Sequence, residues 1–200
     1  MRKTRPSATT PVTRRRFLRS AAVTSAFLAV PSHVLGLRAQ TPPSQQLNIA
    51  GIGVGGQGGA DLDAILRASK ENIVALADPD WGHAAHTFRR YPNAKTFKDY
   101  RQMLDKVKEI DAVVVGTPDH HHAFASMEAI QRGKHVYCEK PLTHSVWEAR
   151  VLAKAAAEAK VVTQMGNQGQ ASDETRRLCE LIWAGAIGPV HEVHVWTDRP

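Results

Sequence analysis

The chain has 200 residues, 42% of them hydrophobic, and a formal charge of +7. That length holds one good-sized domain with a real core and a piece of another. The positive charge invites a nucleic-acid role, but its distribution excludes one. Residues 1–40 carry eight basic side chains (Arg2, Lys3, Arg5, Arg14, Arg15, Arg16, Arg19 and Arg38) and no acidic one, which leaves 18 basic against 19 acidic residues beyond them.

The leader has its own logic. Thr13-Arg14-Arg15-Arg16-Phe17-Leu18-Arg19 resembles a twin-arginine export signal, and the Ala-rich stretch Ala21 to Val30, closed by Pro31, follows it. That stretch is shorter than the ~20 apolar residues of a membrane span. Residues 1–39 are therefore expected to be a twin-arginine signal peptide, read by the export machinery and directing the chain to the periplasm. Leu37-Arg38-Ala39 is a poor small-x-small cleavage site, so retention as a membrane anchor stays open. Residues 40–46 read as a linker.

From residue 47 apolar runs alternate with helical patterns. Strand-like runs fall at 47–53, 72–77, 111–116, 134–138 and 161–165. Tyr100, Met103, Leu104 and Val107 make one helix face, and Ala123, Met127 and Ile130 make another that Gly133 stops. Thr143 and Ser145 precede a long Ala-rich helix to about Lys160. Ser172 opens a last helix, with Asp173 and Glu174 in its first turn and Gly185 beyond its end. This alternation predicts an α/β fold over 47–188, a Rossmann-type doubly wound parallel sheet covered on both faces. Residues 190–197 alternate apolar and polar side chains, as a half-exposed strand does. They are expected to be the first strand of a second α+β domain, starting at 189–200 and truncated. Cys138 ends a buried-looking strand and Cys179 lies in a helix; two free thiols are expected, with one disulfide as the alternative.

The chemistry gathers at strand ends. The run Leu47 to Ile52 enters Gly53-Val54-Gly55-Gly56-Gln57-Gly58-Gly59, and a helical pattern with Leu62, Ile65 and Leu66 follows. Strand, glycine turn and helix start form a pyrophosphate site: glycines let phosphate approach the unpaired N–H groups and partial positive charge of the helix N-terminus. Gly53-x-Gly55-x-x-Gly58 has the dinucleotide spacing. Asp78, 20 residues past Gly58, ends the next strand. There its carboxylate would bond the adenosine ribose and repel the extra phosphate of NADP, so NAD is expected over NADP; the alternative is a cap on a helix after Pro79. Ligands of such sheets bind outside the carboxyl ends of the strands. The same rim would hold Thr117-Pro118-Asp119-His120-His121-His122, Glu139-Lys140-Pro141-Leu142 and Gly166-Asn167-Gln168. Three consecutive histidines fan out on a helix by about 100° each and cannot converge on one ion, so no metal is expected.

Gly53-x-Gly55-Gly56-x-Gly58, Thr117-Pro118 with His122, and above all Glu139-Lys140-Pro141 resemble the Gfo/Idh/MocA oxidoreductases over about residues 46–200. Tyr137 to Leu142 and Val193 to Thr197 are similar to exported, sugar-acting members. The resemblance implies a Rossmann domain, then an open mixed sheet that supplies the substrate pocket and often dimerises. A homo-oligomer is therefore expected when the chain is full length. It implies that Gly53, Gly55, Gly56, Gln57 and Gly58 hold the pyrophosphate, and that Thr117, Pro118 and His122 lie along the cofactor, with His120 at the pocket mouth. Lys140 would stand beside the nicotinamide and the substrate hydroxyl, Glu139 near the nicotinamide ribose, and Asn167 at the nicotinamide end; Pro141 would fix the turn. The general base implied by the resemblance is a second-domain histidine; neither His191 nor His194 is on the expected element, and no base is assigned. The function this implies is an exported oxidoreductase that takes hydride from a sugar or polyol carbon to tightly held NAD. A redox-neutral glycoside hydrolase or epimerase on the same scaffold is the alternative, with a non-enzymatic sugar-binding protein as the third.

Overall fold

The structure, a computed structural model, describes residues 45–197; the leader and most of the linker lie outside the described residues. Six strands form one parallel sheet: β1 (Asn48–Ile52), β2 (Asn72–Ala77), β3 (Lys95–Phe97), β4 (Ala112–Val115), β5 (His135–Glu139) and β6 (Thr163–Gly166). Between and after them run helices α1 (Gln57–Ala68), α2 (Ala85–Arg90), α3 (Tyr100–Lys106), α4 (His122–Gln131), α5 (Val146–Ala159) and α6 (Asp173–Trp183). The strand order is β3-β2-β1-β4-β5-β6, so the chain reverses direction across the sheet between β1 and β4. That reversal opens a crevice at the carboxyl ends of β1 and β4, where the glycine loop lies.

The expected strands recur within one or two residues, because each is a short apolar run bounded by turn residues. Strand neighbours alternate between two cores. Ala50, Ile52, Ala75, Ala77, Val113, Val115, Val136 and Cys138 face one side, under Met103 and Leu104 of α3, Ala129 and Ile130 of α4, and Leu152 of α5. Ile49, Leu76 and Val114 face the other, under Leu62 of α1. Two faces buried against helices explain why these strands read as unbroken hydrophobic runs. Ser145 opens α5 with a reciprocal cap: its side chain accepts from the Glu148 amide and the Glu148 carboxylate accepts from the Ser145 amide. Ser172 likewise accepts from Thr175 N at the start of α6.

Two expectations need correction. Strand β3 was not expected, since three residues with Lys95 and Thr96 exposed give no apolar run. It forms because the Asp78 amide and β2 offer it an edge: Asp78 N donates to Phe97 O at 3.0 Å. The strand expected at 190–197 is not formed; these residues are exposed and have no regular structure. A strand is held by hydrogen bonds to a neighbour, and none lies beside this segment among the described residues. Cys138 and Cys179 are free thiols, and burial pushes the Cys138 thiol up to about 11. Among the described residues no helix is long and apolar enough to cross a membrane.

Candidate functional site

A cleft of about 870 Å³ opens at the crevice. Gly53, Gly55 and Gly56 line it from the glycine loop, Asp78 and Asp80 from the end of β2, and Thr117 and Pro118 from the turn after β4. Its volume is in the range that small-molecule and cofactor sites occupy. Gly53 enters the turn at φ +74°, in the left-handed region, and a Cβ there would stand 2.6 Å from Thr117 N. Farther in, Gly58 packs on Gly116: a Cβ on Gly116 would lie 2.5 Å from Gly58 Cα. The start of α1 therefore sits directly on the end of β4, and only glycine fits at that crossing.

Asp78 does more than its position in the sequence suggests. It is 6% exposed, and Oδ2 accepts from the Val54 amide at 2.9 Å and the Gly55 amide at 3.0 Å, while Oδ1 accepts from Asp80 N at 2.9 Å. A carboxylate has about four lone-pair sites. Three are taken by the backbone, so Asp78 first holds the glycine loop in shape and offers a ribose only what remains. The capping alternative does not hold: α2 starts from Ala84 with no side-chain cap, and Asp80 Oδ1 accepts from His83 N at 2.9 Å in the turn before it.

Among the described residues the backbone amides of Gly56, Gln57 and Gly58 donate to no carbonyl or side chain, in contrast to Gly55. These are the orphan donors of the α1 N-terminus, and Gly56 among them lines the cleft. Thr117 Oγ1 is buried with no partner among the described residues. The loop, the orphan amides and this hydroxyl fit a dinucleotide's pyrophosphate and ribose. His83, which sequence reasoning missed, lies with its ring against Gly55 and lines the same cleft. Its only sequence signal is a histidine in the turn after Asp78.

The second half of the expected site lies outside this cleft. Glu139, Lys140, Pro141 and Asn167 are not among its walls. Lys140 is exposed, its ammonium makes no hydrogen bond or ion pair among the described residues, and its peptide bond to Pro141 is cis. Glu139 is 4% exposed and accepts from Gln168 Nε2. The same nitrogen approaches Tyr137 Oη and Asp61 Oδ1, each at 3.2 Å. Asn167 is exposed and accepts only through its backbone, from Gln170 N at 2.9 Å; its neighbour Gln168 is the residue turned toward Glu139. Gln57, expected at the pyrophosphate, donates its side-chain amide to Asp61 Oδ1 at 2.8 Å, which leaves only its backbone N–H for a phosphate. His122, expected along the cofactor, is 1% exposed beneath the rim, with both ring nitrogens on backbone carbonyls. His120 and His121 line the cleft mouth. Burial, and then the positive charge of Arg101 nearby, holds the His121 imidazole below its usual range.

Asp61 was also missed, although a signal existed. It shares the apolar stripe of Gly58, Leu62 and Ile65 at helical spacing, where a carboxylate is out of place. It is 5% exposed, and Oδ2 has no partner among the described residues. Burial, and then the charge of Glu139, raise its pKa. A raised folded-state pKa means stability that is full in acid and is lost as pH rises through the folded value. Asp61→Asn is therefore expected to raise the urea midpoint at neutral pH, with the gain vanishing in acid. An equal change at both pH values would contradict the Asp61–Glu139 repulsion.

Residues 47–167 match the Gfo/Idh/MocA oxidoreductase family in its NAD-binding Rossmann fold. The chain belongs to this family. It is 34% identical over 142 residues to an inositol 2-dehydrogenase of Leifsonia xyli subsp. xyli, covering 68% of this chain and 41% of that protein. An NAD-binding oxidoreductase of Klebsiella pneumoniae has a similar structure, with TM-score 0.61, 33% identity, and coverage of 72% of this chain and 40% of that one. A 3-ketoreductase of Actinomadura kijaniata, solved with TDP-benzene and NADP, gives TM-score 0.65 at 25% identity, covering 72% and 45%. This Gfo/Idh/MocA chain thus spans about two-fifths of the length of the relatives it matches.

Proposed function

We propose that the chain is the nucleotide-binding part of an NAD-dependent oxidoreductase acting on a sugar or polyol hydroxyl. The observation that carries this is the cleft: orphan amides at the start of α1, and a carboxylate at the end of β2 that both shapes the glycine loop and bounds the ribose position. A carboxylate there disfavours a ribose 2′-phosphate. The nearby cations are engaged elsewhere. Arg101 forms a two-point pair with Asp99 at 3.0 and 2.9 Å, and Lys98 lies 5.8 Å over the Trp81 ring. NAD is therefore preferred to NADP, although the A. kijaniata relative was solved with NADP. The inositol 2-dehydrogenase relative favours a polyol as the substrate class.

NAD supplies the hydride acceptor. The chain's own contribution is Lys140, whose free ammonium at the end of β5 orients a hydroxyl and stabilises negative charge growing on its oxygen. Residues 189–200 lead into the part that completes the substrate pocket in this reading. In the protein carrying that part, Lys140→Ala is expected to lower kcat with myo-inositol by about 100-fold, the usual effect of losing one charge-stabilising donor. NAD affinity should stay unchanged. Unchanged turnover in steady-state assays would remove Lys140 from the chemistry.

A further inference from the structure

A second cavity, of about 120 Å³, lies between the sheet and helices α4 and α5, and it shares no wall with the cleft of the glycine loop. Ile130 of α4, Val136 of β5 and Leu152 of α5, all buried, give it apolar walls. Ser126 of α4 and Cys138 of β5 are its deep polar side chains, 1% and 0% exposed. Ala153 and Thr163 are exposed and mark its mouth, between α5 and the edge strand β6. The hydroxyl of Ser126 is out of place there. A serine inside a helix ordinarily turns its hydroxyl to solvent or to the carbonyl four residues back. Ser126 does neither: it is buried, and its Oγ has no hydrogen-bond partner among the described residues. A buried hydroxyl in that state is destabilising.

We propose that this cavity binds a small neutral alcohol, with its apolar body against Ile130, Val136 and Leu152 and its hydroxyl bonded to Ser126 Oγ. The site is separate from the nucleotide reading above, and its failure would leave that reading untouched.

Size and lining select this class. An apolar cavity of about 150 Å³ takes up a molecule as large as benzene, so this one has room for about six non-hydrogen atoms. A charged ligand would find no counter-charge, because no Lys, Arg, His, Asp or Glu lines the cavity. The thiol supplies none either: it donates to Glu139 O at 3.5 Å, and burial, which pushes it up to about 11, keeps it protonated. A polyol would press its further hydroxyls on aliphatic carbon, which is costly. Water fills the space poorly, since each buried water needs about three polar partners and the depth of the cavity offers one hydroxyl and one thiol. One hydroxyl on an apolar ring matches both the walls and the single unpaired oxygen. Entry beside β6 needs no opening of the sheet, because β6 is its last strand.

The test is a titration of the purified chain with cyclopentanol, and separately with benzene, followed through the methyl resonances of Ile130, Val136 and Leu152. In wild type the three should shift together and saturate, with a dissociation constant for cyclopentanol on the order of 1 mM. Ser126→Ala should weaken cyclopentanol about tenfold, the worth of one lost hydrogen bond, and leave benzene binding as tight or tighter. Ala153→Leu, on the exposed side of α5, places a side chain across the mouth and should abolish the shifts for both probes. Wild-type methyls that do not move with either probe would mean a cavity closed or filled by water alone, and would overturn the proposal. Equal cyclopentanol affinity in wild type and Ser126→Ala would overturn the hydroxyl's role and with it the ligand class. Shifts that persist in Ala153→Leu would place the binding elsewhere and contradict the site.

Discussion

Gly58→Val is expected to abolish nucleotide binding and to lower the stability of the chain by about 3 kcal/mol, the upper range for overpacking. A Cβ at Gly58 would press on Gly53 O and stand 3.2 Å from Gly116 Cα. Both neighbours are backbone, and neither can retreat. Gly116 N is bonded to Ile52 O at 2.8 Å and Gly53 N to Ala77 O at 2.9 Å. Added side-chain atoms must therefore lift α1 off β4, which tilts the amides of Gly56 and Gln57 away from the cleft. Urea denaturation measures the first effect and NADH titration the second. A folded Gly58→Val chain that binds NADH normally would show that the start of α1 is not the phosphate cradle.

Asp78→Ala should have the next largest effect. It removes the acceptor of Val54 N and Gly55 N, two amides in buried hydrogen bonds, and of Asp80 N. Leaving a buried donor unsatisfied costs about 1–3 kcal/mol, so the two together cost about 2–6 kcal/mol. The glycine loop should loosen as well as lose its ribose contact, weakening NAD on the order of 100-fold. NADP should lose less, because the repelling carboxylate has gone. Calorimetric titration with both cofactors reads the two losses. Equal weakening of NAD and NADP would mean that Asp78 acts only on the loop, and no weakening would separate it from the nucleotide altogether.

The sheet was legible because each long strand is an apolar run closed by a glycine, a proline or a charged residue. The glycine loop was legible because strand, turn and helix follow without a gap. Strand β3 was not, since its pairing is set by the edge that β2 presents. Residues 190–197 show the converse: an alternating pattern states which faces a strand would have but supplies no partner. At the site, strand ends located the rim but not which atoms meet there. Asp78 was placed at the end of β2 and lines the cleft, yet its bonds to Val54 and Gly55 depend on how the loop folds back. The three histidines look alike in sequence. Their difference arises where a 3-10 turn over Asp119–His121 passes into α4, sending His122 inward and leaving His120 and His121 at the cleft. Asp61 and Gln168, 107 residues apart in sequence, meet only because α1 and the turn after β6 share one side of the sheet.

The most direct test of this account is a fluorescence titration of the purified chain with NADH, repeated with ADP-ribose as competitor and with Gly58→Val as control. The account predicts saturable binding that ADP-ribose displaces and that the glycine variant lacks. A folded wild-type chain showing no saturable NADH signal, or one that ADP-ribose leaves untouched, would contradict it.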